Sequence, residues 1–185
     1  MRYIHLKVIL VMIAFSAGLF ICANPAGAAT AEKIDRDAKS ALENLYSKSP
    51  AAKALGEKAK GILVFPHIVK GGFIVGGQYG EGALFRDGNT AGYYNTVQVS
   101  YGLQAGLQKY GYALFFMSDS AMSWLDKSDG WELGVGPTIV VVEVGAAKAL
   151  TTTTAQSQIY AFFFDQKGLM AGLGLQGTKV TKLDK

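Results

Sequence analysis

The chain has 185 residues, half of them hydrophobic and 17 % charged, a formal charge of +4, 23 glycines but only four prolines. Glycine excess without proline and without a G-X-Y period excludes a collagen-like or proline-rich chain, and the apolar content excludes a charged disordered tail. One cysteine and two histidines leave no material for a cysteine-based zinc site.

Arg2 and Lys7 form a short basic segment, and the mostly apolar stretch from Val8 to Cys22 is broken by Asn24-Pro25. Ala26-Gly27-Ala28 then offers the small residues that a signal peptidase reads. Fifteen apolar residues fall short of the ~20 that span a bilayer. Residues 1–28 are therefore expected to be a cleaved secretory signal, with an uncleaved anchor as the alternative, and 29–185 a single domain. Ile21 before Cys22 is too bulky for a lipidation site, so the mature chain is expected to lack cysteine. Loss of Arg2 and Lys7 lowers the charge from +4 to +2, too little for a nucleic-acid binder.

Thr30 to Lys48 reads as an amphipathic helix, with Ile34, Ala38, Ala41 and Leu45 on one stripe and Thr30 as its cap. Ser49-Pro50 starts a second helix, Ala51 to Lys60, ended by Gly61. Ile62 to Phe65 is a buried strand stopped by Pro66. Phe73 to Phe85 alternates, with Phe73, Val75, Tyr79, Ala83 and Phe85 opposite Gly76, Gln78, Gly80 and Gly82. From Thr96 to Gln108 the alternation is strict: Val97, Val99, Tyr101, Leu103, Ala105 and Leu107 face away from a polar and glycine side. Tyr112 to Met117, Trp131 to Val135, Thr138 to Val144, Ile159 to Phe164, Leu169 to Leu175 and Thr178 to Leu183 read as further strands. Ser118 caps a short inserted helix. The expected fold is α+β: two N-terminal helices on a strongly curved, glycine-rich antiparallel sheet or partial barrel of about eight strands. Alternate glycines either let backbone approach closely or leave a groove for an apolar ligand, along Gly76, Gly80, Gly82, Gly102 and Gly106.

Catalytic chemistry is sparse. His67 is the single histidine beyond residue 28, placed just after a strand-ending proline. Gly172 to Gly177 spells G-x-G-x-x-G, but within an alternating strand and with eight residues left after it, which is no dinucleotide fold. Glu81 is the unusual carboxylate: strand parity puts it on the more apolar face, where a salt-bridged structural role outweighs a general base. No metal site and no cofactor is expected.

Four segments in order resemble the SYLF domain, a lipid-binding family: Ala59 to Pro66, Lys70 to Gly82, Val99 to Gly106 and Gly168 to Gly177. The resemblance covers about residues 36–183. It implies lipid or membrane-surface binding, phosphoinositides and in some members actin being the known ligands, without catalysis. An exported copy resembles the bacterial branch, for which actin is an unlikely partner and other anionic lipids replace phosphoinositides. The resemblance supplies no residue-level site. The amphipathic helix suggests Lys33, Arg36 and Lys39 as head-group contacts, aided by Lys70, Arg86 and Lys109. A secreted or periplasmic, non-enzymatic lipid-binding domain is the expectation. A small outer-membrane barrel, an envelope protein without a ligand, and a lipid-acting enzyme using His67 or Glu81 are the alternatives.

Overall fold

A computed structural model describes residues 29–72, 75–101, 106–127, 129–142, 157–168, 175 and 177–185. The expected signal segment, Gly102, Leu103, Ala105, the 151–154 loop and the strand expected over 169–175 lie outside the described residues, apart from Leu175 itself.

Helix α1 spans Ala31–Lys48; the Thr30 hydroxyl accepts from the Lys33 amide, and Ile34, Ala38 and Leu45 are buried. The extended Ser49 both ends α1 and caps α2, Pro50–Gly56, accepting from the Ala52 amide at 3.2 Å. Pro50 fits there because the first-turn amides lack helical partners. The helix stops at Gly56, four residues earlier than its sequence suggests. Strands β1 (Gly61–Gly72), β2 (Val75–Arg86), β3 (Asn89–Tyr101) and β4 (Gly106–Phe116) follow. Ser118 then caps α3, Asp119–Met122, which runs into a 3-10 turn over Ser123–Asp126. The last strands are β5 (Trp131–Glu132), β6 (Ile139–Val142), β7 (Ile159–Gly168) and β8 (Lys179–Leu183).

All eight strands form one curled sheet in the order β5-β8-β3-β2-β1-β4-β7-β6. Three expectations are corrected. The sheet is mixed, because β6 runs parallel to β7; the 143–158 connection is long enough for the crossover that a parallel pair requires. Pro66 does not stop β1. The register of β1 shifts against both neighbours between Val64 and Ile68, and this bulge accommodates the residue that has no amide hydrogen to donate. The alternating run from Thr96 to Gln108 is also divided: β3 ends at Tyr101 and β4 begins at Gly106, on opposite sides of the β1–β2 pair.

The sheet has a core on each face. On the outer face α1 and α2 cover Ile62, Val64, Ala83, Phe85, Ala113, Phe115, Phe162 and Phe164. On the inner face Leu63, Phe65, Tyr112, Leu114, Phe116 and Phe163 pack against Met122, Leu125, Trp131 and Leu133. The bulge keeps this division consistent: Ile62 and Val64 face the helices before it, and His67, Val69 and Gly71 carry the outer face after it.

The glycine face of β2 points inward, and β1 fills it. A methyl group on Gly82 would overlap the Val64 carbonyl oxygen, and one on Gly80 would overlap the Ile68 side chain and press on the His67 carbonyl. Gly80 and Gly82 therefore admit neighbouring backbone where the bulge crosses, and the expected ligand groove is absent at these two positions.

Candidate functional site

Beyond the bulge the helices no longer cover the sheet, and its polarity inverts. Gln78, Thr96, Gln108 and Lys70 are buried on the inner side. Tyr110 donates to the Gln78 carbonyl at 2.5 Å, the Gln78 amide reaches Thr178 at 3.4 Å, and Thr96 and Tyr112 share a hydrogen bond of 2.7 Å. Burial pushes the Tyr110 hydroxyl up to about 12, against the lowering effect of its Gln78 bond, and burial also drives Tyr112 far above its ordinary value. Both phenols stay neutral at any physiological pH. The Gln108 side-chain oxygen is buried without a partner among the described residues.

The outer side of the same strands holds the apolar residues of the alternating pattern. Val69, Tyr79 and Val97 stand in one register row across β1, β2 and β3, and the row continues to Lys109 and Lys167 at one end and Lys179 at the other. All three lysines are exposed. Between this row and α1 lies a groove of about 750 Å³, lined by Asp37, Asn44, His67, Lys109, Asp165 and Lys167 among others.

The acids of the groove already have partners. Asp37 binds Lys33 at 2.6 Å and lies 3.6 Å from Arg36 and from His67 Nε2; the Lys33 hydrogen bond first, then nearby positive charge, holds its carboxyl below the ordinary value despite partial burial. Asp165 binds Lys48 at 3.2 Å, and Asn44 donates to it. Among the described residues no ion pair engages Lys109, Lys167 or Lys179, although Glu132 of β5 stands opposite Lys179 in register. These lysines are exposed cations on this half of the sheet that an anionic group could reach; Lys53, Lys58, Lys60, Arg86 and Lys182 are exposed elsewhere.

The structure distributes the other suggested cations differently. Lys33 and Lys39 are consumed in i,i+4 pairs with Asp37 and Asp35, each at 2.6 Å. Over α1 the cations Lys33, Arg36, Lys39 and Lys48 are balanced by Glu32, Asp35, Asp37 and Glu43. Its apolar stripe is buried on the sheet. Docked in this way, α1 is a neutral strap rather than a basic membrane face. Lys70 points inward and is only 9 % exposed. Arg86 ends β2 at the Asp87-Gly88 turn, at the opposite end of the strand from the lysine row. Of the six suggested cations only Lys109 belongs to the row; Lys167 and Lys179 were missed. Lys167 lies on the part of β7 that runs beyond the Ile159–Phe164 read in the sequence, and Lys179 opens β8; their place in the row is visible only once the register is known.

Of the remaining candidates, Gly76 is buried and Gly106 is an exposed glycine at φ +146°. Glu81 ties the residue before α1's cap and the C-terminal lysine to the sheet: its carboxylate pairs with Lys185 at 3.2 Å, accepts the Ala29 amide at 3.0 Å and accepts the Tyr79 hydroxyl at 3.0 Å. Lys185 also donates to the Ala29 carbonyl. Among the described residues no three His, Asp or Glu side chains gather as metal ligands, and no helix is long and apolar enough to cross a membrane.

Residues 97–185 match the family described as Ysc84, Las17-binding protein actin regulator. No curated protein matches the chain. The matched stretch begins within β3 and includes β4, β7 and β8, which carry all three lysines of the row.

Proposed function

Because residues 97–185 place this chain in the Ysc84 (SYLF) family, we propose that it is a non-enzymatic domain that binds membrane surfaces through anionic head groups, after export and removal of residues 1–28. The observation that carries this reading is the lysine row. Lys109 and Lys167 lie in register at the edge of a groove whose own acids are neutralised. A phosphate entering there meets the Lys109 and Lys167 ammonium groups and His67, while Asp37 and Asp165 are engaged in ion pairs. Cations near an anionic surface contribute about 1 kcal/mol each. Export is supported by the N-terminal pattern and by the place of Ala29, whose nitrogen already faces Glu81; cleavage after Ala28 would turn that amide into an ammonium ion paired with the same carboxylate. An exported chain meets lipid rather than actin.

The test is co-sedimentation of residues 29–185 with vesicles. Binding to phosphatidylcholine vesicles containing phosphatidylglycerol, and far weaker binding to phosphatidylcholine alone, is expected. Lys109→Glu combined with Lys167→Glu should lower the anionic partitioning by more than about tenfold at low salt. Equal retention on neutral and anionic vesicles would refute head-group recognition.

A further inference from the structure

From the lysine row outward, the end of the sheet is apolar on the wrong side for a water-soluble fold. Val69, Val75, Tyr79, Val97, Val99 and Leu107 all lie on the outer face and are between 39 and 59 % exposed. They are contiguous. Val69 pairs with Tyr79 and Tyr79 with Val97; one step on, Leu107, Gly71, Gly77 and Val99 form the next row, and Val75 lies beyond it. Glycine at 71 and 77 leaves this second row smooth. Behind it the buried side is lined by Lys70, Gln78 and Gln108, with Thr96 one step nearer α1. A sheet end with apolar residues outward and amides and hydroxyls inward is the polarity of strands that meet lipid. A soluble protein rarely leaves such a patch without a use.

The surroundings specify the occupant. Moving outward from α1, the outer face passes through three zones. A polar row of His67, Glu81, Asn95 and Thr181 comes first. The row of Lys167, Lys109, Tyr79 and Lys179 follows, and then the apolar rows. Lysines and a tyrosine at the boundary between polar and apolar zones match the head-group level of a bilayer, where ammonium groups reach phosphates and aromatic rings favour the interface. The depth agrees. Four residues separate Tyr79 from Val75, about 13 Å at ~3.3 Å per residue. One leaflet of a ~30 Å hydrocarbon core is about 15 Å deep.

We propose that the ends of β1, β2, β3 and β4 beyond the lysine row insert edge-on into one leaflet of an anionic bilayer, with Val75, Val99 and Leu107 among the acyl chains and Lys109, Lys167 and Lys179 at the phosphates. This rests on the membrane-binding reading and names its surface. The helices stay on the sheet, so binding requires no undocking of α1. On the inner side Lys70, Gln78 and Gln108 are buried, so the protein need not close a barrel to enter one leaflet.

The experiment uses residues 29–185, which retain every described residue and contain no cysteine. Single Val99→Cys, Leu107→Cys and Arg36→Cys variants carry an environment-sensitive fluorophore and are mixed with phosphatidylcholine–phosphatidylglycerol vesicles. The Val99 and Leu107 labels are expected to shift to the blue and to be quenched by brominated acyl chains, and the Arg36 label to stay at its aqueous wavelength. Unlabelled Val99→Ser with Leu107→Ser should lower partitioning by about tenfold or more while the thermal melt is retained, since both side chains already face water. Vesicle binding with aqueous spectra at 99 and 107 overturns the insertion and leaves head-group binding standing. Absence of binding to either vesicle overturns both. Self-association that shifts the two labels without vesicles overturns the insertion in favour of a second copy of the chain.

Discussion

Gly82 shows how one residue sets the curvature of this sheet. The bulge around Pro66 brings the Val64 carbonyl over β2, where only a hydrogen fits. Gly82→Ala is expected to cost about 1–3 kcal/mol by overpacking, read as a lower midpoint in urea denaturation. Glu81 acts at the same scale. Its carboxylate is mostly buried and holds Lys185, Tyr79 and Ala29 together. Glu81→Gln keeps the shape and removes the charge opposite Lys185. It should lower the melting temperature and loosen the segments around Ala29 and Lys185, seen as faster amide exchange near Ala29 and Thr181, while vesicle binding through the lysines of the neighbouring row is retained.

At the scale of the element, α1 illustrates the difference between a pattern and a surface. Its charges alternate so that Lys33 and Lys39 each meet an acid one turn away. Such exposed pairs contribute little to stability, but they cancel the field that would attract a membrane. Alanine at 33, 36 and 39 together is expected to change partitioning into anionic vesicles by less than about twofold, against the much larger loss from reversing Lys109 and Lys167. Asp35 and Asp37 also fasten α1 to the sheet. Burial raises the Asp35 carboxyl, but hydrogen bonds from Lys39 and Thr90 and the Lys39 charge outweigh it and leave it lowered; Asp37 is lowered chiefly by its Lys33 bond. Carboxylates depressed in the folded state add stability above their ordinary value of 3.8. That stability is lost as pH falls from about there through the folded values. Thermal melts should therefore be flat from neutral pH to about 5 and fall below about 4. Ser49→Ala, which removes the α2 cap from a buried position, should cost about 1 kcal/mol.

At the scale of the whole molecule, the sheet is divided into a helix-covered half and a bare half, and the proposed activity belongs to the bare half. Among the described residues β5 and β6 end an open sheet. A transmembrane barrel must satisfy every strand edge by closure, so one-leaflet insertion suits this architecture better than a span. Head-group contact and insertion respond differently to salt. Raising ionic strength from low to physiological should weaken the initial capture on anionic vesicles, whereas the blue shift of protein already bound should persist.

From the sequence alone one could read two capped helices, strands of period two, a short inserted helix and the family resemblance. Each depends on neighbours in the chain: a cap needs the next three residues, and alternation needs only the next two. Glycine spacing likewise indicated that something must come close to β2. Tertiary structure decided the rest. Alternation identifies two faces without saying which is inside, and beyond Pro66 the apolar face of Val97, Val99 and Leu107 is the outer one. A bulge, a parallel edge pair and a lysine row assembled from β4, β7 and β8 all depend on register between distant segments. Register is set by packing across the sheet, and that is why the sequence singled out the cations of α1 and Lys109 but not the Lys167 and Lys179 that complete the row.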